Sequence, residues 1–280
     1  MAYRQWQIGL DIQNGQLYAL ATQYHRRYGW QLRYWWQQQL PPDTLINGVL
    51  QSSEHLIGKL RALRRRLPRS ISLRVGIHPQ LALHHQLTIP KSLATLREPE
   101  RDKYIIASAE RLFPLNINEL MLDYREDTNK SVVHLTVARK VALNSWLTCL
   151  DAAGFSPDIL EQTPAALCSL ALALNLSRDA TLIHGLNDHW LWYAPSLPDV
   201  TGWCQRSEVA DITMLINSYL PVTGQLYLSD VADNSINPLV SPLLPFSAFR
   251  VQAPPLPVNQ QGFALATGLA LRPEDKAWSG

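Results

Sequence analysis

Cysteine is scarce in this 280-residue chain: Cys149, Cys168 and Cys204 are widely spaced and odd in number. That pattern argues against a disulfide framework or a zinc site and points to a reducing compartment. Long apolar runs are missing too. The longest uncharged helical stretch, Gln162 to Ser177, is too short and too polar at its ends to span a bilayer. Arg4 and Gln5 interrupt the opening MAYRQWQIGL and no small-residue cleavage site follows, so no signal peptide is expected. No Gly-x-Ser-x-Gly elbow occurs, and no catalytic residue is assigned. His78, His84 and His85 lack helical metal-ligand spacing and an accompanying acid or thiol, so no metal is expected. Charged residues make up 17% against 46% apolar, a globular balance without a disordered block. The length suits two domains or one large α/β unit with an insertion.

The net charge of +2 conceals an asymmetry. Residues 1–150 hold 20 Lys/Arg against 11 Asp/Glu, a balance of +9, and residues 151–280 hold 5 against 12, a balance of −7. Much of the excess sits in Lys59, Arg61, Arg64, Arg65, Arg66, Arg69 and Arg74. Such a cluster suits an anionic membrane surface, nucleic acid or an acidic partner. It equally suits a solvated helix end, where cations oppose the dipole. Arg64, Arg65 and Arg66 are the candidates for a membrane-facing set.

Elements follow from apolar periodicity and turn residues. Ile8 to Leu20 reads as a hairpin about Gln13-Asn14-Gly15, with a third strand over residues 30–38. Pro41-Pro42-Asp43 sets up a helix capped near Asp43 or Thr44, with Leu45, Val49, Leu56, Leu60, Leu63 and Leu67 as its stripe and Pro68 as its stop. A strand is expected over 72–77, and an extended segment runs to Ile89-Pro90. A helix over 99–113 follows, then paired strands at 120–124 and 133–137 about the turn Asp127-Thr128-Asn129. A helix over 141–153 ends at Gly154. The last third gives helices over 164–174, 212–220 and 263–271 and strands over 180–183, 190–193 and 225–229. Six prolines between 237 and 257 forbid regular structure for most of that segment. The paired tryptophans Trp35-Trp36 and the alternating Trp190/Trp192 are read as packing between sheet and helix rather than as stacking platforms.

A carboxylate ending a buried strand beside a small polar turn is also how actin-like ATPases begin, with turn N–H groups on phosphate and the acid organising the metal. Three segments carry a closer resemblance: IGLDIQNGQLYAL, YIIASAERLFPLNINELMLDYR (Tyr104 to Arg125) and LNSWLTCLDAAGFSPDILEQTPAALCSL (Leu143 to Leu170). Together they resemble the type IV pilus assembly protein PilM family, in particular its branch from enterobacterial DNA-utilisation gene clusters. The match covers residues 5–175 well and the remainder poorly.

The resemblance implies an α/β, actin-like fold of the FtsA/PilM ATPase type, with an inserted α+β subdomain and a shortened second half. The implied division is 1–80 with 162–178 as the first subdomain, 81–161 as the insert and 179–280 as the second. It further implies a cytoplasmic protein peripheral to the inner membrane, gripping the N-terminal tail of a single-pass PilN/HofN-type partner in a pilus or DNA-uptake apparatus. The nucleotide turn carried over is Asp11, Gln13, Asn14 and Gly15. Its collaborators are altered. Ile183-His184-Gly185 stands for the expected Asp-Ile-Gly, leaving His184 where an acidic group is expected, and Ser229-Asp230-Val231-Ala232-Asp233 replaces a Gly-Gly pair. Two functions stay open: a scaffold with a degenerate nucleotide site and no cofactor, or an ATP/Mg-binding assembly factor using the same cleft. Direct nucleic-acid binding is not expected. The partner's tail is expected between the first half and the insert, against Ile89, Leu112, Phe113 and Leu115.

Overall fold

The computed structural model describes residues 5–90, 98–113, 116–126, 131–197, 199–220, 224–230 and 238–273. In chain order the first elements are β1 (Trp6–Gln13), β2 (Gln16–His25), β3 (Gly29–Gln39), β4 (Leu45–Ile46), β5 (Val49–Leu50), α1 (Glu54–Arg64), β6 (Ile71–Ile77) and β7 (Ala82–Thr88). There follow α2 (Glu98–Leu112), β8 (Leu120–Glu126), β9 (Val132–Arg139), α3 (Lys140–Ala152), β10 (Ile159–Gln162) and α4 (Thr163–Ala173). The rest comprises β11 (Thr181–Gly185), β12 (His189–Tyr193), β13 (Thr201–Gln205), α5 (Ile212–Tyr219), β14 (Leu226–Asp230), β15 (Ser241–Pro242), β16 (Val251–Gln252) and α6 (Ala264–Leu271).

Two sheets repeat one plan. The first has the order β10-β6-β1-β2-β3-β16, and the second β13-β12-β11-β14-β15. In each, an antiparallel three-strand meander receives parallel strands on its first member: β6 then β10 beside β1, β14 then β15 beside β11. A parallel neighbour requires a crossover, and α1 and α5 supply it. Between the sheets lie α4 and α6. Ala166, Leu167 and Leu170 of α4 share a core with Leu182 and Leu191 of the second sheet, while Ala266, Ala270 and Leu271 of α6 pack on Tyr18, Leu20 and Leu32 of the first. Contact is close enough to require glycine. A Cβ on Gly9 would stand 1.9 Å from the Ala266 carbonyl oxygen, and one on Gly268 would stand 2.0 Å from that of Ala166. The last helix therefore lies on the first half although its chain arrives from the second.

The insert is a three-stranded sheet, β7-β9-β8, with α2 across one face. Its core holds Ile89, Ile105, Phe113, Val133, Leu135 and Val137. The expected insert ran to residue 161, whereas Leu143, Trp146, Cys149 and Leu150 of α3 join the first sheet's core with Leu56, Leu60 and Leu63 of α1. Trp146 Nε1 fixes this docking by donating to the Gly48 carbonyl at 3.2 Å.

Another expectation fails at residues 43–50. The helix starts ten residues later, where the Ser53 side chain accepts from Leu56 N at 3.2 Å. Leu45 and Val49 instead lie in the small hairpin β4–β5, whose turn Asn47-Gly48 takes positive φ of 49° and 75°. Asn-Gly at such a turn is the favoured chemistry for a two-residue hairpin. The expected turn Asp127-Thr128-Asn129 and residues Val231 to Asp233 lie outside the described residues. No helix among the described residues is long and apolar enough to cross a membrane.

Candidate functional site

The two meanders point their first turns at each other. In the first half, β1 ends at Gln13 and β2 begins at Gln16, leaving Asn14 and Gly15, the latter at φ +86°, as the tip. In the second, Leu186-Asn187-Asp188 join β11 to β12. Asn14 Nδ2 reaches Asp188 Oδ2 at 3.5 Å, and Asn187 Nδ2 reaches the Asn14 carbonyl at 3.5 Å. The Asn14 carboxamide is also committed on its own side, its Oδ1 accepting from Leu45 N at 2.7 Å. The tips therefore meet directly, with amide on amide.

Behind the first tip, Asp11 is completely buried. Its Oδ1 accepts from Gln13 Nε2 at 2.7 Å, and its Oδ2 has no hydrogen-bond partner among the described residues. Burial raises the carboxyl from 3.8 to about 7, against which the Gln13 bond acts weakly. Behind the second tip stands His184, also fully buried, with Nδ1 2.6 Å from Ser229 Oγ. Burial lowers it from 6.5 to about 3, with nearby His189 adding to the effect, so the ring is neutral. Gly185, beside it, is roofed by an ion pair. Arg206 donates to both oxygens of Asp230 at 2.8 and 2.7 Å, gives its Nε–H to the Leu186 carbonyl at 2.5 Å and lies 3.8 Å over the Trp190 ring. That guanidinium is consumed by a carboxylate, a carbonyl and a ring face.

Outside the tips a cleft of about 380 Å³ opens between the halves, lined among others by Asn47, His78, His189, Trp203 and Gln205. The His78 and His189 rings are 4.5 Å apart and Trp203 stands edge-on to His78 at 5.3 Å. His189 Nδ1 is 2.5 Å from Asp188 Oδ1, which helps hold that carboxyl below its usual range despite burial. Burial, with His189 nearby, lowers His78 to about 4. No group of three or more His, Cys, Asp or Glu among the described residues is placed to hold a metal ion.

The sequence singled out Asp11, Gln13, Asn14 and Gly15, and these do cluster. It missed Asn187, Asp188, His189 and Trp203, which complete the cleft from the other half. The one available signal was that turn's place in a second hairpin-first unit. The apolar wall expected for a partner needs correction. Ile89 and Phe113 are spent in the insert's own core, Leu112 is exposed on α2, and Leu115 lies outside the described residues. The membrane-facing arginines divide as well. Arg64 donates to the carbonyls of Gly154, Pro68 and Arg69, Arg66 donates to Tyr34 Oη at 2.9 Å, and Arg65 is exposed.

The repeated sheets, the helix pair between them and the facing hairpin tips define an actin-like fold. No protein-family model matches the chain. Its sequence is 24% identical to the DNA utilization protein HofM of Escherichia coli (strain K12) over 274 residues, covering 97% of this chain and 98% of that protein. Its structure is similar to that titled "PilM-PilN type IV pilus biogenesis complex", with a TM-score of 0.69 at 17% identity over 95% of this chain and 97% of the other. It is also similar to the cytoplasmic domain of EpsL, an inner-membrane component of the type II secretion system of Vibrio cholerae, with a TM-score of 0.56 at 12% identity over 98% of both chains. The sequence likeness to HofM runs over nearly the whole of both chains, and the likeness to the other two structures is one of fold.

Proposed function

We propose that this protein is a cytoplasmic scaffold of a pilus-like or DNA-uptake apparatus, peripheral to the inner membrane, that holds the N-terminal tail of a PilN/HofN-type membrane partner and does not use nucleotide. The likeness to a PilM–PilN complex and to HofM supports the assembly role. One observation carries the loss of nucleotide: the space between the tips, where a phosphate chain would lie, is bridged by Asn14 against Asn187 and Asp188. The residues also fit Mg-ATP poorly by charge. Asp11 is a buried carboxyl raised to about 7, His184 is a buried neutral base, and Arg206 is already paired to Asp230. Loss of two charge-assisted contacts, about 1.5–3 kcal/mol each, weakens affinity at least a hundredfold.

The tail's site is the groove between the first half and the insert, with a corrected lining. The sheet face opposite α2 carries His84, Thr136 and Arg125, and it approaches β10 through His84 to Gln162 and Arg125 to Glu161. β10 is an edge strand of half-buried residues, suited to receive an extended peptide. Calorimetry with a synthetic tail peptide and with Mg-ATP tests both parts. Tail binding that Arg125→Glu weakens about tenfold, with no heat from millimolar Mg-ATP, is the expected result. Micromolar Mg-ATP binding abolished by Asp11→Ala favours the ATP-binding assembly factor instead, which the retained buried Asp11 would serve.

A further inference from the structure

One face of the first half gathers positive charge. Lys59, Arg61, Arg64, Arg65, Arg66 and Arg69 lie in the second half of α1 and just beyond it. Among the described residues, no carboxylate forms an ion pair with any of these six. Neutral groups hold several of them instead. Arg61 Nε donates to the Ala152 carbonyl at 3.1 Å, Arg64 Nε to that of Gly154 at 3.1 Å, and Lys59 Nζ to Gln38 Oε1 at 2.8 Å. Carbonyls at the end of α3 thus orient two guanidinium groups without cancelling a full charge. Arg61, Arg64 and Arg65, with Gly58 and Ala153, line a recess of about 290 Å³ between α1 and the end of α3. A Cβ on Gly58 would meet nothing within 4 Å, so the space over the helix is open there.

We propose that this recess binds the phosphate of an anionic lipid headgroup and lays the first half of the molecule against a membrane. Planar guanidinium groups match phosphate oxygens. With all three nitrogens of Arg64 already donating to carbonyls, the contacts to a phosphodiester fall to the terminal nitrogens of Arg61 and to Arg65, and Arg64 adds its charge. The lipid source is favoured over a nucleic-acid strand for two reasons. The cations form one recess at a helix end, and Phe155, whose ring centre lies 5.9 Å from the Arg64 guanidinium, is buried and offers no stacking platform. The charge is also polarised along the chain, +9 over residues 1–150 and −7 over 151–280, which orients the protein on a negative plane. The surface adds to any hold on a partner's tail and does not depend on it.

Vesicle sedimentation of the full chain tests this. Binding is expected to phosphatidylcholine vesicles containing phosphatidylglycerol and not to phosphatidylcholine alone. It should fall steeply as salt rises from about 0.1 to 0.5 M. Each cation neutralised at the recess should cost about fivefold in partition. Gly58→Glu points a carboxylate into open space at a helical position where glutamate is intrinsically favoured over glycine, so it should fold as well as the parent and bind at least fivefold more weakly. Gly58→Ala should bind as the parent does, and Arg65→Glu should follow Gly58→Glu. Equal sedimentation with neutral vesicles, or unchanged binding by Gly58→Glu, overturns the proposal. So does saturable binding of inorganic phosphate or duplex DNA without vesicle binding.

Discussion

In the first half, strands of 8, 10 and 11 residues form the meander, and a helix from the far end of the chain covers it. In the second half the three corresponding strands have five residues each, and an ion pair roofs the first of them. The first half buries an acid without a full set of partners, Asp11, while the second buries a base, His184, at the matching end of its leading strand. The same topology thus carries a closely seated helix over its first copy and an ion pair over the leading strand of its second. The contrast shows that strand order can persist while the side chains at matching positions change in kind.

The most severe way to break the first half is to push its sheet away from α6. Gly9→Val sets a branched side chain where a single Cβ already falls 1.9 Å from the Ala266 oxygen, against main chain that cannot turn aside. A loss above about 4 kcal/mol is expected, seen as failure to give a cooperative thermal transition in circular dichroism. In the second half the corresponding weak point is electrostatic. Arg206→Ala removes the guanidinium that holds both oxygens of the buried Asp230, and a loss of about 3–5 kcal/mol by urea unfolding is expected. A variant within 1 kcal/mol of the parent would show that the pair merely fills space.

The two buried titratable groups should bend stability in opposite directions. Asp11 has a folded value near 7, above its ordinary 3.8. Its contribution is intact below pH 3.8 and is lost as pH rises through 7. Asp11→Asn should therefore stabilise the protein by about 2–4 kcal/mol at pH 8, and by progressively less toward pH 4. His184 has a folded value near 3, below 6.5, so its contribution is intact above pH 6.5 and is lost as pH falls toward 3. His184→Gln should flatten the acid limb and leave the alkaline one. Urea midpoints across pH check both, and parallel shifts in the two variants would refute the contrast. The smallest effect belongs to the contacts between halves. Asn187→Ala removes one bond of 3.5 Å and should cost less than about 0.5 kcal/mol while raising amide exchange in the two hairpin tips.

Much of the first half was legible in the sequence because its signals are local. Asn14-Gly15 sits between long alternating runs, and the apolar stripe Leu56, Leu60 and Leu63 has helical spacing. The same stripe misled when extended back to Leu45 and Val49, which match helical spacing by coincidence and hide the turn signal of Asn47-Gly48. Periodicity also said that α3 has an apolar face without saying what it faces, so the helix was grouped with the insert. β10 is too short to show a period and β13 carries Gly202 within it, so their pairing with β6 and β12 defines them. The cleft was half readable for a similar reason. Asn14 announces a turn, but its meeting with Asn187 across 173 positions is a property of the closed fold.

The seating of α6 on β1 has a further consequence for how the protein is made. Gly9 and Ala266 touch across more than 250 positions, so the apolar face formed by Tyr18, Leu20 and Leu32 has no lid until nearly all of this chain has left the ribosome. At about 5–20 residues per second, that face waits roughly 10–50 s in a crowded cell. Such long-range closure is slow to form and open to aggregation in the meantime. A nascent chain halted before Ala264 should accordingly be held by chaperones, and one released past Leu271 should shed them.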